Sequence, residues 1–167
     1  MGEPLQTDYD FRGSGKVILA LALLFPLTYF AHVAEEYWVG EGYPAYLYRI
    51  RGVHLSVTRF WISQSVGTAL MIIGILIAYR VQFLRVMLCI LGAIVLINGI
   101  THSATAFMKG GYGPGLYSSI FLWIPLGLFT LFYFRNRIIR WKFWMAIGIG
   151  IAVNVVIDIF TMRGARF

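Results

Sequence analysis

The chain has 167 residues, 59% of them hydrophobic and 13% charged, with a formal net charge of +7. That composition excludes an ordinary soluble domain, and the single cysteine, Cys89, excludes an intrachain disulfide. The positive balance does not point to nucleic acid. Arg80, Arg85, Arg135, Arg137, Arg140 and Lys142 flank short connections between apolar runs, where basic residues set membrane orientation and meet anionic lipid.

Residues 1–16 are polar and carry Glu3, Asp8 and Asp10, unlike the basic start of a cleaved signal peptide. The run from Val17 to Trp38 is longer than a signal core and reads as a retained helix, which Pro26 is expected to bend. The stretch Val39 to Thr58 holds Tyr43, Tyr46, Tyr48, Arg49, Arg51 and His54 and reads as an interfacial lid. Four more apolar runs follow, over 60–79, 83–107, 116–134 and 141–162, each near the ~20 residues that cross a bilayer. Cys89 lies inside one of them and reads as packing. The glycine-rich stretch Lys109 to Gly115 connects the third and fourth runs, either as a tight turn or as backbone open to a ligand. Small-residue pairs such as Gly74 with Ala78 and Ala146 with Gly150 suit close helix packing. The expected fold is an all-α polytopic membrane bundle of about five helices, one domain over 17–162 with a short tail at 163–167.

Five crossings put the late ends of the first, third and fifth runs on one membrane face with the early ends of the second and fourth. The polar residues gather there. They are Thr28, His32, Glu35 and Glu36; Ser63, Gln64 and Ser65; Asn98, Thr101, His102, Ser103 and Thr105; Ser118 and Ser119; Asn154 and Asp158. The opposite halves are almost wholly apolar. At ~100° per residue, Thr28, His32, Glu35 and Glu36 share an arc of about 100°, and Asn98, His102 and Thr105 one of about 60°. Carboxylates at this depth cost roughly 2.5–3.5 kcal/mol each unless paired or functional.

Histidine nitrogens and carboxylate oxygens are the donors of zinc and iron sites. His32, Glu36 and His102 are the candidate ligands, and Asp158 is a further ligand or a partner that orients a histidine. Glu35 is the candidate general base or a fourth ligand, and Asn98, one turn from His102, a hydrogen-bonding catalytic group. Gln64 and Asn154 are candidate substrate contacts. Other readings stand beside these. His32 could be a core histidine bonded to a hydroxyl. Glu35 or Glu36 could pair with Arg59, Lys109 or Arg163, and Asp158 with Arg163, at the membrane surface.

His32-Val33-Ala34-Glu35-Glu36, Asn98-Gly99-Ile100-Thr101-His102 and Tyr112-Gly113-Pro114-Gly115 follow one another along the chain. In that order they resemble the HxxEE, NxxxH and YxPG motifs of the HXXEE family of small prokaryotic integral membrane proteins. The resemblance implies motif residues that are enzymatic or metal-binding, and no particular reaction. It adds Tyr112 to the catalytic candidates and Gly113, Pro114 and Gly115 to the substrate contacts. Asp158 lies outside the motifs.

The expected activity is that of a metal-dependent membrane hydrolase acting on a lipid or isoprenoid, a hydrophobic small molecule. The metal is a divalent cation, zinc first, then iron or manganese. A metal-free acid–base isomerase, a proton or metal-ion conduit and a purely structural polar cluster are the alternatives. Lys and Arg number eight on the amino-terminal side of the crossings and six on the other. The loop at Arg135 to Lys142 dominates this bias, so the amino terminus is expected in the cytoplasm and the polar face outside.

Overall fold

The computed structural model describes residues 11–163. Helix α1 spans Phe11–Trp38, α2 Tyr43–Arg51, α3 Val57–Arg80, α4 Leu84–Lys109, α5 Leu116–Phe134 and α6 Arg140–Arg163. All but α2 are long and apolar enough to cross a bilayer, so the chain is an all-α integral membrane bundle of five spans. Residues 1–10 and 164–167 of the predicted termini, and the side chain of Arg163 as a partner for an acid, lie outside the described residues, and α1 starts at Phe11, ahead of the predicted Val17.

Helix ends follow local chemistry. Ser56 Oγ caps α3 by accepting from the Arg59 backbone N–H at 3.2 Å. Gly110 closes α4 in the left-handed conformation at φ 70°. The stretch read as an interfacial lid contains a short helix. This is α2, started by Gly42 and Pro44 and ended by Gly52 at φ 66°. Tyr46 and Leu47 are buried beneath it.

Helix α5 is not uniform: Ser119–Trp123 has the wider π winding, and α-helix resumes at Ile124 with Pro125 next. Proline has no N–H to give and its ring crowds the carbonyl one turn back, so a wider turn before it relieves both problems.

Helix α4 is central and packs against α1, α3, α5 and α6. Small residues let the backbones approach. An added Cβ on Gly127 would meet the Gly92 carbonyl oxygen at 2.7 Å, and one on Gly150 would meet Ala93 Cβ at 2.5 Å. Gly74 faces the end of Met87 in the same way. Leu21, Phe25, Leu88, Cys89, Phe134 and Ala146 fill the core. Leu19, Leu70, Phe129, Trp144 and Phe160 face outward, as lipid-facing side chains do.

With this topology, the late halves of α1, α4 and α6 lie at one end of the bundle with the early halves of α3 and α5. Helix α2 and the 110–115 loop belong to that end as well.

Candidate functional site

His32, Glu35 and Glu36 occupy the last two turns of α1 and are buried, at 2%, 9% and 4% exposure. Glu36 is one turn beyond His32, so both side chains leave α1 on the same face. Helix α4 brings in His102. Among the described residues, the potential ligand atoms of His32, Glu36 and His102 lie within 4.8 Å of one another. Glu36 Oε1 is 3.5 Å from Nε2 of each histidine.

Both imidazoles are oriented from behind. His102 Nδ1 is 2.9 Å from the Pro114 carbonyl oxygen. A carbonyl only accepts, so this nitrogen carries a proton, and in the neutral ring Nε2 presents its lone pair. His32 Nδ1 is 2.8 Å from Ser118 Oγ. The Ser118 hydroxyl donates to Glu35 Oε2 at 2.5 Å and therefore accepts from His32. Trp123 lies flat against His32, with ring centres 3.5 Å apart. Gln64 Nε2 donates to Glu36 Oε2 at 2.9 Å, and Tyr29 donates to Gln64 Oε1 at 2.6 Å. That chain holds one oxygen of Glu36 and turns the other to the histidines.

Glu35 points elsewhere. Its Oε1 accepts from the Tyr112 hydroxyl at 3.0 Å and the Tyr117 backbone N–H at 2.8 Å. Its Oε2 accepts from the Ser118 N–H at 2.6 Å as well as from the Ser118 hydroxyl. Two of these donors are unpaired N–H groups in the first turn of α5, where a carboxylate is favoured by both hydrogen bonding and the helix dipole. The sequence offered Glu35 as a general base or a fourth ligand. In the fold both its oxygens are engaged and it fastens α5 to α1.

The YxPG loop wraps the histidines. Its Gly113 and Gly115 sites are too close to side chains to carry their own. A Cβ on Gly115, at φ 82°, would fall 2.7 Å from His32 Cε1 and 3.2 Å from His102 Cε1. One on Gly113 would meet the Tyr46 hydroxyl at 2.9 Å. Gly113, Pro114 and Gly115, expected at a substrate, thus touch the protein's own side chains. Burial, and then the bond to Glu35, push the Tyr112 hydroxyl well above its ordinary pKa, so it stays a donor.

Other candidates lie apart. Asp158 is exposed on α6 and does not join the three ligand atoms. The last turns of α6, residues 155–160, are exposed all round, and the Asp158 charge still reaches Tyr43. Asn154, on that inner face, donates to the Ile94 carbonyl at 3.2 Å and to the Gly150 carbonyl at 3.0 Å. It ties two helices together rather than facing the histidines. Ser63, Ser65 and Thr101 are exposed. Asn98 is half-buried one turn below His102, with its Oδ1 enclosed.

Sequence reading left four residues out of the site. Ser118 and Trp123 contact His32, and Tyr29 holds Gln64. Tyr43, the first residue of α2, has its ring 6.1 Å from His102. Burial and then the nearby Glu36 charge raise its pKa, Asp158 adds to the shift and Arg51 opposes it. Ser118 carried a signal, since it lay in the predicted polar layer. Nothing in the linear sequence distinguished Trp123 or Tyr43 from the other aromatics.

No curated protein and no solved structure matches the chain. The family model described as "Protein of unknown function with HXXEE motif" matches residues 23–130, from mid-α1 into α5. That span is more than half of the chain and contains all three motifs, whose residues supply both histidines, both glutamates and the loop around them. The chain belongs to the HXXEE family.

Proposed function

We propose that the protein is a membrane-embedded enzyme in which His32, Glu36 and His102 hold one divalent cation, zinc before iron or manganese. We propose that it hydrolyses a lipid or isoprenoid substrate. The observation that carries this reading is the direction of three donor atoms. Both Nδ1 positions are taken by acceptors, and both Nε2 atoms, which carry lone pairs in the neutral rings, lie 3.5 Å from Glu36 Oε1. Ligands at about 2.0–2.2 Å from a tetrahedral zinc stand about 3.3–3.6 Å apart, so the two separations from Glu36 fit. The hydrogen bonds behind each donor are those that metal ligands ordinarily carry. A buried carboxylate set between two imidazoles is a favourable place for a cation.

A cation bound there would supply Lewis acidity and make water acidic enough to react near neutral pH. The chain's own groups do the rest. Gln64 fixes Glu36, while Pro114 and Ser118 fix the imidazoles. Glu36 Oε2, hydrogen-bonded by a neutral amide, keeps a lone pair able to accept a proton. Glu35 positions His32 through Ser118. Tyr43 offers a protonated hydroxyl beside His102. The placement of the site at the end of an apolar bundle supports a membrane-derived substrate.

A metal-free isomerase needs Nε2–H groups donating to Glu36, and 3.5 Å is long for that bond. A conduit needs a polar path through both leaflets, and the far half of the bundle is apolar. The test is elemental analysis of protein purified in detergent without added chelator. About one zinc, iron or manganese per chain supports the reading, provided that His32→Ala, Glu36→Ala and His102→Ala each lose it. Combining two of these changes should add little, because the three act as one unit. Metal-free parent protein, after incubation with each cation, would end the proposal.

A further inference from the structure

Three polar atoms inside the bundle have no hydrogen-bond partner among the described residues: Asn98 Oδ1, Ser119 Oγ and Trp123 Nε1. Ser119 is fully buried and Trp123 is 3% exposed. Buried polar groups are almost always paired, because leaving one unpaired forfeits its hydration for nothing. Three in one region of a single bundle therefore call for a ligand.

They belong to one place. Ser119 and Trp123 begin and end the π stretch of α5, four residues apart and on one side of its wide turn. Asn98 is one turn below His102 on α4. Its neighbour Gly99 packs against that stretch, where an added Cβ would lie 3.4 Å from the Ser119 carbonyl oxygen. Trp123 stacks on His32, and His32 meets His102 edge-on at 5.0 Å between ring centres. All three residues thus belong to the elements that carry or contact the histidine pair: Asn98 one turn from His102 on α4, and Ser119 and Trp123 on the stretch whose indole stacks on His32.

Their chemistry is specific. The Asn98 oxygen accepts, the Trp123 N–H donates, and the Ser119 hydroxyl does either. A hydroxyl group is the small complement of that set, since it donates one hydrogen bond and accepts others. A π-turn is also a recurrent feature of functional sites, because it re-aims side chains that a regular helix would point elsewhere.

We propose that α4 and the π stretch of α5 form a hydroxyl-binding site against His32 and His102. Its occupant is either the alcohol group of an amphiphile entering from the bilayer or a buried water. The site rests on the orphaned atoms and holds whether or not a cation binds the histidines.

The test compares the parent protein with Ser119→Ala and Asn98→Leu in detergent, each with 1-dodecanol or with dodecane. Melting temperature and metal content are read on the same samples. An amphiphile site predicts that dodecanol raises the parent melting temperature above the dodecane value by about 2–4 °C, the shift of a modest binding energy in a chain of this size. Neither variant should show that difference. A water site predicts no alcohol-specific shift, with both variants melting about 2–4 °C below the parent because they sever the water's bonds. Variants at least as stable as the parent, with no alcohol-specific shift, overturn the proposal. If Asn98→Leu does not fold, Ser119→Ala, which removes a single oxygen, decides alone. Metal content that stays with the parent level in both variants separates this site from the cation proposal, and a metal-free parent leaves the thermal comparison intact.

Discussion

Glu35 and Glu36 are adjacent in sequence and opposite in circumstance. Glu35 is satisfied by two backbone N–H groups and two hydroxyls, whereas Glu36 has an amide on one oxygen and two imidazoles before the other. The two glutamine variants should therefore part. Glu35→Gln puts an NH2 among donors, and the unpaired groups should cost about 1–3 kcal/mol. Its melting temperature should fall by several degrees, with partial loss of metal through the loosened Ser118–His32 contact. Glu36→Gln removes a buried charge and should keep or raise the melting temperature of the metal-free protein while abolishing metal binding. Thermal melts and elemental analysis of both variants, with and without chelator, check this. Equal behaviour of the two would refute the division of roles. Tyr112 gives a pH signature. Its folded pKa is raised, and an unfolded tyrosine ionises near pH ~10. The unfolded chain then releases a proton that the folded chain keeps, so stability is full below pH ~10 and declines as the pH rises beyond it. Tyr112→Phe should flatten that alkaline decline, read as melting temperature between pH 8 and 11.

At the level of elements, the YxPG loop matters for what its backbone permits. Gly115 stands at φ 82° with both imidazoles against it, so a methyl group is excluded by conformation and by space together. Gly115→Ala should lose metal binding and destabilise the fold by more than 1 kcal/mol. Gly111→Ala is the matched control, because a Cβ there meets nothing within 4 Å. It should melt within about 0.5 kcal/mol of the parent, as ordinary surface changes do, and retain metal. If both alanine variants bind metal equally, the loop does not shape the site. Helix α2 belongs to the same unit: Tyr46 lies against Gly113, and the Tyr112 ring is 3.0 Å from where a Cβ of Gly40 would stand. The lid and the motif loop therefore close over the histidines together.

For the whole molecule, the way the bundle sits in the bilayer decides which side the site faces. The basic residues favour the Arg135 to Lys142 side in the cytoplasm, and the site would then face outward. The protein's own thiol does not interfere with a labelling test, because Cys89 is fully buried. Single variants Arg137→Cys and Gly111→Cys, at opposite ends of the bundle, should label oppositely with a membrane-impermeant maleimide on intact cells. Gly111→Cys is expected to react and Arg137→Cys to stay protected until the cells are opened. The reverse pattern would turn the site to the cytoplasm and change which pool of substrates can reach it.

The five spans were legible because a bilayer imposes a length and a polarity that a linear sequence displays directly: about 20 apolar residues at a time. The convergence of His32, Glu36 and His102 was legible for a related reason. Polar residues at one depth of a bundle have few places to go except inward, toward one another. Roles were a different matter. The donors that reach Glu35 lie more than seventy residues away in sequence, so its hydrogen bonding to the start of α5 was not readable from its own segment. Asp158 and Asn154 share a helix face by spacing, yet Asn154 is taken by α4 and Asp158 is left outside, since the packing angle between helices is not written in either helix alone. The backing of the two histidines by Ser118 and Pro114 was likewise decided only in three dimensions, because hydrogen-bond direction needs the positions of both partners. The sequence by itself determined the membrane class, the depth of the polar layer and the identity of its ligand-capable residues. The tertiary structure decided which of them meet, which are already satisfied, and which buried polar atoms still lack a partner.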